Sequence, residues 1–351
     1  MESSPLHRWP DHEFFKNGAF LTSSDGETVV LGKGGEVHVV EDFIESDTPV
    51  FYLKDFYTEK YLAYRPDTFL ECTTEELKNV LASFPLPNKV QVSGSADDIY
   101  REDFNDLKNA FNDKLKKVVL ISRESYSSFN GEETIKGLMK KAFGFGTGIP
   151  YGFWSKDYGI IGSTPELLFD LEGEILNTFA LAGTAKVGEE KELLSSKKLR
   201  IEHDLVILDI KEKLLKFTDG IEVGETHTHP FKNIVHLKTD ISAVAKENID
   251  LTDLTGTLSP TAALGGYPKE ASLDFLKKTR YAQKFGSRYF GSCFGLISED
   301  IKSFIVAIRN VQWKGKELFI ECGGGIVPDS ELEAEYEEVL LKRNAIKNNY
   351  L

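Results

Sequence analysis

Apolar residues along the chain fall into short runs typical of strands and longer periodic segments typical of helices. Turn residues such as Asp25-Gly26 and Gly34-Gly35 bound several of the short runs. These runs predict strands at residues 19–21, 28–31, 37–40, 51–53, 117–122, 158–162, 167–171, 303–309 and 318–321. Helices are predicted at residues 74–84, 99–115, 189–216, 268–278 and 330–348. This mixture indicates a single α+β domain with large sheets and helices outside them.

Composition limits the function further. The 351 residues are 41% hydrophobic and 28% charged, as in globular proteins, and no apolar run reaches the roughly 20 residues of a membrane span. The net charge of −14 argues against a nucleic-acid or anionic-membrane surface. The first residues lack the basic start and apolar core of a secretory signal, and the sparse cysteines Cys72, Cys293 and Cys322 fit a reducing compartment. We therefore expect a cytoplasmic protein that binds neither nucleic acid nor membrane.

The segment 321–342 carries the strongest chemical signal. An apolar run breaks into Gly323, Gly324 and Gly325, and glycines let a backbone approach a ligand closely and present N–H groups to an anion. Ser330 and Glu333 have capping-box spacing, which predicts that a helix begins at residue 329 or 330.

Within that helix, Glu335, Glu338 and Lys342 share one face at i, i+3 and i+7. Two carboxylates can bind Mg²⁺, and the lysine can meet a negative group beside them. A solvated charged face is the alternative. Glu202, next to His203 in the predicted helix 189–216, could pair with Glu338 at a metal or be an exposed glutamate; spacing does not decide between these.

Three further polar residues stand at strand ends. Lys117 begins the run KVVLIS, and a buried lysine near another cation can act as a base, although most such lysines reach solvent. Glu166 follows Pro165, where it could be an acid or part of a turn. Arg309 ends the predicted strand FIVAIR, where its guanidinium could bind a carboxylate.

Small residues and hydroxyls mark two predicted loops, at residues 180–186 and 258–268, which would expose backbone donors. The segment 291–295 (GSCFG) resembles a glutaminase nucleophile elbow, but no His-x-Glu follows it. His227, His229 and His236 lack a zinc framework, and a loop in which His236 is hydrogen-bonded is the better interpretation.

Taken jointly, the motifs resemble those of the chorismate-utilising enzymes. The similarity runs from about residue 116 to 342, with the strand-rich residues 1–100 as a weaker leading part of the same domain. The matching stretches, all in the family's order, are KVVLISR, TPELLF, ALAGTAK, KLRIEHDLV, VHLKTDI, LSPTAALGGYP, FIVAIR, CGGGIVPDS and EYEEVLLK. The resemblance implies one α+β domain over residues 1–351, with two antiparallel β-sheets in a sandwich and helices outside.

The resemblance also implies a role for each candidate residue. It puts Mg²⁺ on Glu202 and Glu338, with Glu335 close by through water. Lys117 matches the general base for water, and Glu166 matches the general acid for the leaving hydroxyl. The implied substrate-binding residues are Gly183, Thr184, Arg309, Gly323, Gly324, Gly325 and Lys342.

The details of the motifs favour one reaction, the Mg²⁺-dependent conversion of chorismate to isochorismate. A lysine before Val118 suits family members that use water, and Ala182 argues against aminodeoxychorismate synthase. Ser259 departs from the histidine common in isochorismate synthases. Salicylate synthase, which also eliminates pyruvate, is the alternative, as is a chorismate-binding protein with weak turnover. We expect a monomer without a glutaminase subunit, serving menaquinone or siderophore biosynthesis.

Overall fold

The apolar runs pair into two antiparallel sheets of ten strands each. The computed structural model describes residues 9–87, 90–127, 129–144, 146, 148–231 and 234–351, and for residues 184, 186, 198, 202, 231 and 234 it describes the backbone but not the side chain. The strands are β1 (Gly18–Thr22), β2 (Thr28–Lys33), β3 (Glu36–Val40), β4 (Val50–Lys54), β5 (Tyr61–Arg65), β6 (Thr68–Thr73), β7 (Gln91–Ser95), β8 (Lys117–Ser127), β9 (Ile149–Trp154), β10 (Tyr158–Thr164), β11 (Leu167–Glu172), β12 (Ile175–Lys186), β13 (Thr218–Val223), β14 (His227–Phe231), β15 (Ile234–Ala245), β16 (Gly266–Tyr267), β17 (Cys293–Ile297), β18 (Lys302–Val306), β19 (Asn310–Lys314) and β20 (Glu317–Ile326).

Sheet A has the order β16-β8-β20-β19-β10-β9-β1-β2-β6, with β7 also paired to β8. Sheet B has the order β13-β15-β12-β11-β18-β17-β4-β5-β3, with β14 also paired to β15. The hairpin between β19 and β20 turns at Gly315, whose φ of +58° is a left-handed conformation that glycine adopts without strain. N-terminal strands enter both sheets, since β1 pairs with β9 and β4 pairs with β17. The chain is therefore a single domain, as the sequence predicted.

The two sheets pack face to face through aromatic and branched side chains. The rings of Tyr64 in sheet B and Phe153 in sheet A lie 5.7 Å apart, and those of Phe294 and Tyr151 lie 5.6 Å apart. All four side chains are buried in one apolar cluster that both sheets build. Burial of each such side chain contributes about 1.5–3 kcal/mol, so this layer holds the sandwich together.

Ten helices lie among the described residues and pack mainly on the outer faces. They are α1 (His12–Lys16), α2 (Thr74–Ala82), α3 (Asp97–Ala110), α4 (Gly131–Phe143), α5 (Glu190–Ser195), α6 (Lys197–Leu214), α7 (Leu251–Leu258), α8 (Lys269–Leu276), α9 (Arg280–Phe285) and α10 (Leu332–Tyr350). Helix α10 packs on β20, α3 on β8, and α6 on β12. Tyr336, Val339, Ile346 and Tyr350 form the buried face of α10. Across the described part of the chain, no helix is both long and apolar enough to cross a membrane.

Three predicted helices differ clearly from the structure, and the one predicted at 99–115 ends at Ala110. The predicted helix 189–216 is two helices, because Ser196 has an extended backbone and its hydroxyl accepts a hydrogen bond from the N–H of Leu199. Helix α10 begins at Leu332 without a side-chain cap, so the predicted capping box is wrong. Ser330 instead accepts a hydrogen bond from the N–H of Val327.

One of the two predicted loops rich in small residues is a strand, as is the glycine run, whereas the other predicted loop, 258–268, lies mostly between α7 and β16. Residues 180–186 lie within β12, and the glycine run 323–325 lies within β20. Strand β18 ends at Val306, so the predicted strand 303–309 is too long. Glycine content alone does not distinguish a loop from a strand whose neighbours approach closely.

Candidate active site

Lys117 is held at the start of β8 by neighbours on both sides. Its partner in β16 is Tyr267, and its carbonyl accepts a hydrogen bond of 2.9 Å from the hydroxyl of Ser272. The Lys117 side chain lies over Gly325 of β20, because a Cβ at residue 325 would be 2.5 Å from the lysine Cε and 3.3 Å from its Nζ. The absence of a side chain at Gly325 therefore makes room for the amine.

Glu166 lies where the chain passes from β10 in sheet A to β11 in sheet B. Burial raises the pKa of the Glu166 carboxyl to about 7, and the positive charges of Arg309, Lys342 and Lys117 partly oppose this rise. The charges of all three cations therefore reach the carboxyl group, and Lys117 and Lys342 both lie against the glycine run of β20. The structure thus brings together four of the predicted site residues, from both sheets and α10.

Arg309 lies on the reverse crossover, from β18 in sheet B to β19 in sheet A. Its φ is +57°, a left-handed conformation that is uncommon for a side chain of this size. The two crossovers are tied together, because the N–H of Val306 donates to the carbonyl of Glu166 and the N–H of Ser163 donates to that of Arg309. The carboxyl and the guanidinium thus extend from adjacent connections between the sheets.

The glycine run permits close packing around this cluster. Gly323, Gly324 and Gly325 pair with residues 119–121 of β8. A Cβ at Gly323 would lie 2.6 Å from the carbonyl oxygen of Leu120, and one at Gly324 would lie 3.6 Å from Oε2 of Glu335. The glycines therefore lie in a strand and not in the predicted loop. Gly323 lets β8 approach β20 closely, whereas a Cβ at Gly324 would meet α10 at an ordinary contact distance. Their contact with a substrate stays a prediction.

The predicted polar face of α10 lies beside that run. Lys342 Nζ forms a 2.7 Å ion pair with Glu338 and donates to the carbonyl of Gly323 at 3.2 Å. Glu335 Oε1 accepts a hydrogen bond of 2.6 Å from the hydroxyl of Ser330. Two carboxylates one helical turn apart offer the oxygen ligands that Mg²⁺ prefers. The donor set on α10 therefore fits this ion.

Two predicted residues fall partly outside what the structure describes. The backbone of Glu202 lies in α6 and that of Thr184 in β12, but their side chains are among those not described. Among the described residues, no group of three or more His, Cys, Asp or Glu is arranged to bind a metal. The predicted contribution of Glu202 to a metal site stays a prediction.

His236 is a neighbour of the predicted site residue Gly183, and the sequence does not predict it as part of the site. It lies in β15, not in a loop, and its Nδ1 donates to the carbonyl of Gly183, which occupies a bulge in β12 with φ of +71°. Burial lowers the pKa of His236, the Gly183 bond opposes that, and the charge of Arg309 lowers it further. The VHLKTDI motif, in which His236 is the second residue, was the signal that could have identified it.

Cys293 of the GSCFG segment is fully buried, and burial raises the pKa of its thiol to about 11. The thiol form, which is a poor nucleophile, therefore predominates at neutral pH. This agrees with the expectation that the segment is not a glutaminase elbow.

The fold is a two-sheet antiparallel sandwich in which Lys117, the half-buried Glu166, Arg309 and Lys342 lie on β8, the two crossovers and α10. The sequence profile of the family described as "Chorismate binding enzyme" matches residues 73–349. The chain therefore belongs to the chorismate-binding enzyme family, as its motifs predicted.

Individual relatives agree with this assignment. The isochorismate synthase MenF of Bacillus subtilis is 28% identical over 291 residues, which cover 78% of this chain and 61% of that protein. Anthranilate synthase component 1 of Aquifex aeolicus is 27% identical over 199 residues, covering 53% of this chain and 40% of that protein. The chain thus spans at most about three fifths of the length of these curated relatives.

Among solved structures, the menaquinone-specific isochorismate synthase MenF of Escherichia coli superposes with a TM-score of 0.83. The match covers 99% of this chain and 93% of that chain at 18% sequence identity. At this identity the similarity establishes the fold, and it confirms the predicted two-sheet sandwich.

Proposed function

We propose that this protein is an isomerase that converts chorismate to isochorismate. The observation that carries the proposal is geometric: Lys117 and Lys342 both lie against the glycine run of β20, and Glu166 and Arg309 lie on two hydrogen-bonded crossovers. The charges of Lys117, Arg309 and Lys342 also act on the pKa of Glu166. The reaction replaces one hydroxyl group of a dicarboxylate by another. It needs a base for the incoming water, an acid for the leaving hydroxyl and cations for the two carboxylates. An isochorismate synthase among the relatives supports the same choice.

The acid is suited to its step. A pKa of about 7 leaves a substantial fraction of Glu166 protonated at neutral pH, whereas an ordinary glutamic acid would be ionised. Glu166 would give its proton to the C4 hydroxyl, which leaves as water while the ring double bonds shift.

The base would act on the incoming water. Neutral Lys117 would take a proton as the water oxygen bonds to C2 of the ring. Arg309 and Lys342 would hold the two carboxylates, so the ring stays oriented between acid and base. The proton taken by Lys117 and the proton given by Glu166 balance the exchange of hydroxyl groups.

Glu335 and Glu338, with Glu202, would hold Mg²⁺. When bound, Mg²⁺ supplies positive charge that neutralises the substrate carboxylate near three glutamates. Ser330 supports this role for Glu335, since it binds one carboxylate oxygen and leaves the other for the metal or its water. Lys342 keeps the charge of Glu338 paired in the free protein.

Two alternatives to this reaction are distinguished by their products. Salicylate synthase would form isochorismate and then eliminate pyruvate in the same pocket. A chorismate-binding protein with weak turnover is the second alternative, since Ser259 departs from the common histidine. That residue is buried and its carbonyl accepts a hydrogen bond from Lys269, so a role in packing accounts for it without a defect in the site.

The test is to incubate the purified protein with chorismate and Mg²⁺ and to resolve the products by chromatography. Isochorismate without pyruvate is the expected result, with lactate dehydrogenase coupling as the pyruvate assay. Strong pyruvate release would favour salicylate synthase, and tight chorismate binding without product would favour the binding protein. Ammonia-dependent anthranilate would contradict the water-based reaction.

We further propose a cytoplasmic monomer that acts without a glutaminase subunit. Menaquinone and siderophore biosynthesis both use isochorismate, and the neighbouring genes would distinguish these pathways. Light scattering during gel filtration tests the monomer directly, and a dimer mass would contradict it.

A further inference from the structure

Arg309 has a backbone conformation that its own side chain does not favour. Among the described residues, Arg309 and Asn248 are the non-glycine residues with positive φ, at +57° and +58°. Asparagine adopts this conformation with little strain, but a long unbranched side chain gains nothing from it. Neighbouring groups must therefore hold Arg309 in place, and such held strain is found mainly at functional sites.

The holding groups are two buried polar side chains, Tyr151 and Asn310. The Tyr151 hydroxyl donates to the carbonyl of Ile308, directly before Arg309, at 3.0 Å. The side-chain amide of Asn310, directly after Arg309, donates to the Tyr151 oxygen at 2.8 Å and to the carbonyl of Ala307 at 3.0 Å. One tyrosine hydroxyl thus joins both sides of the arginine.

The amide of Asn310 is itself oriented by a further buried bond. Gln312 donates to Asn310 Oδ1 at 3.0 Å and to Glu321 Oε2 at 2.9 Å. Asn310, Gln312 and Tyr151 are at most 1% exposed. Polar groups are costly to bury, and phenylalanine would fill the tyrosine's place equally well, so packing alone does not explain this network.

We infer that Tyr151 and Asn310 are positioning residues that hold Arg309 left-handed, so that its guanidinium faces the site and meets a substrate carboxylate. The inference rests on the substrate-binding role of Arg309 in the proposed function. The charge of Arg309 acts on the pKa values of Glu166 and His236, and also on those of Cys322 and Tyr350, so the guanidinium lies within range of these groups. A change of φ at residue 309 would redirect the Cα–Cβ bond and with it the guanidinium.

The variant Tyr151→Phe removes the hydroxyl and keeps the ring. Because Arg309 would hold the carboxylate equally in the ground and transition states, KM for chorismate should rise about tenfold while kcat stays within about twofold. Tyr64→Phe is the matched control. Tyr64 is equally buried in the same core and donates one hydrogen bond of 3.3 Å to the carbonyl of Asn17, away from Arg309. The Tyr64→Phe variant should lose a comparable free energy of unfolding, and its KM for chorismate should stay at the wild-type value.

A double-mutant cycle separates positioning from general damage. In an Arg309→Ala background, Tyr151→Phe should cause no further rise in KM, since the residue through which it acts is gone. An equal further rise, or an unchanged KM in Tyr151→Phe alone, would overturn the inference.

A structural readout keeps this test apart from the proposed function. If the wild-type protein makes no isochorismate, the proposed function fails, and crystal structures of wild type and Tyr151→Phe then decide on the positioning. The expected result is a residue 309 that leaves the left-handed region in the variant. An Arg309 with the same φ and the same guanidinium position would overturn the inference.

Discussion

Lys117 lies across Gly325, with the lysine Cε where a Cβ of residue 325 would otherwise stand. The relationship joins the first residue of β8 to the last glycine of the run in β20. It explains why a strand in the sheet contains a glycine here, since glycine weakens a strand unless something must approach it closely.

Substitution of Gly325 should therefore act through Lys117. In Gly325→Ala the added methyl group pushes the amine aside, and kcat should fall by about 10²-fold, within the range for a displaced acid–base group. Gly220→Ala is the matched control, because Gly220 lies in strand β13 with no atom within 4 Å of the added Cβ. Steady-state kinetics with chorismate measure both, and a near-native kcat in Gly325→Ala would contradict the proposed role of Lys117.

The pH dependence of turnover should report the protonation of Glu166. Its pKa of about 7 means that the proton-bearing form is present below that pH and is lost as pH rises through it. We expect kcat to fall on the basic side with an apparent pKa near 7, one value of a coupled pair with Lys117. A kcat that stays flat from pH 6 to pH 9 would argue against Glu166 as the acid.

The raised pKa of Glu166 should also make the free energy of unfolding depend on pH. The folded-state pKa of about 7 exceeds the ordinary value of 4.5, so between these values the folded chain binds a proton that the unfolded chain lacks. The free energy of unfolding should therefore fall as pH rises from about 4.5 to 7. Glutamine does not titrate, so Glu166→Gln removes this loss. The free energy of unfolding of the variant minus that of wild type should therefore increase by about 1–3 kcal/mol as pH rises from 5 to 8. Denaturant unfolding of the two metal-free proteins measures this difference in free energy of unfolding. A difference that does not change with pH would contradict the raised pKa.

The metal proposal can be tested on adjacent residues of α10. Glu338→Gln keeps the shape and removes a charged ligand, so Mg²⁺ affinity should fall about 10-fold or more, and activity should need correspondingly more Mg²⁺. Glu337→Gln alters an exposed neighbour on the same helix and should leave both unchanged. Isothermal titration with Mg²⁺ measures affinity apart from turnover. Equal affinities in the two variants would remove Glu338 from the metal site.

The sequence predicted the fold class and family because apolar runs and ordered motifs depend mainly on local residues. The sequence predicted Lys117 and Glu166 as candidates from their motifs. It could not predict their relative position, because that depends on the order of the strands in the sheets. It did not predict that the glycine run forms a strand, since the need for glycine at residue 325 comes from a lysine 208 positions away.

Backbone detail was less predictable for the same reason. The left-handed Arg309 depends on Tyr151, a residue on another strand, so the local pattern continued the strand through it. Ser196 divides a segment with continuous helical periodicity by capping the second helix. The sequence does not distinguish His236 from His227 and His229, because only strand pairing places it beside Gly183.

The origin of the C2 hydroxyl oxygen tests the proposed water addition most directly. The protein would be incubated with chorismate and Mg²⁺ in ¹⁸O-labelled water, and the isochorismate analysed by mass spectrometry. We predict one ¹⁸O atom per isochorismate in wild type and in Lys116→Ala, whose lysine is exposed beside the site, and a loss of product of about 10²–10⁴-fold in Lys117→Ala. Unlabelled isochorismate, or labelled product formed at the wild-type rate by Lys117→Ala, would contradict it.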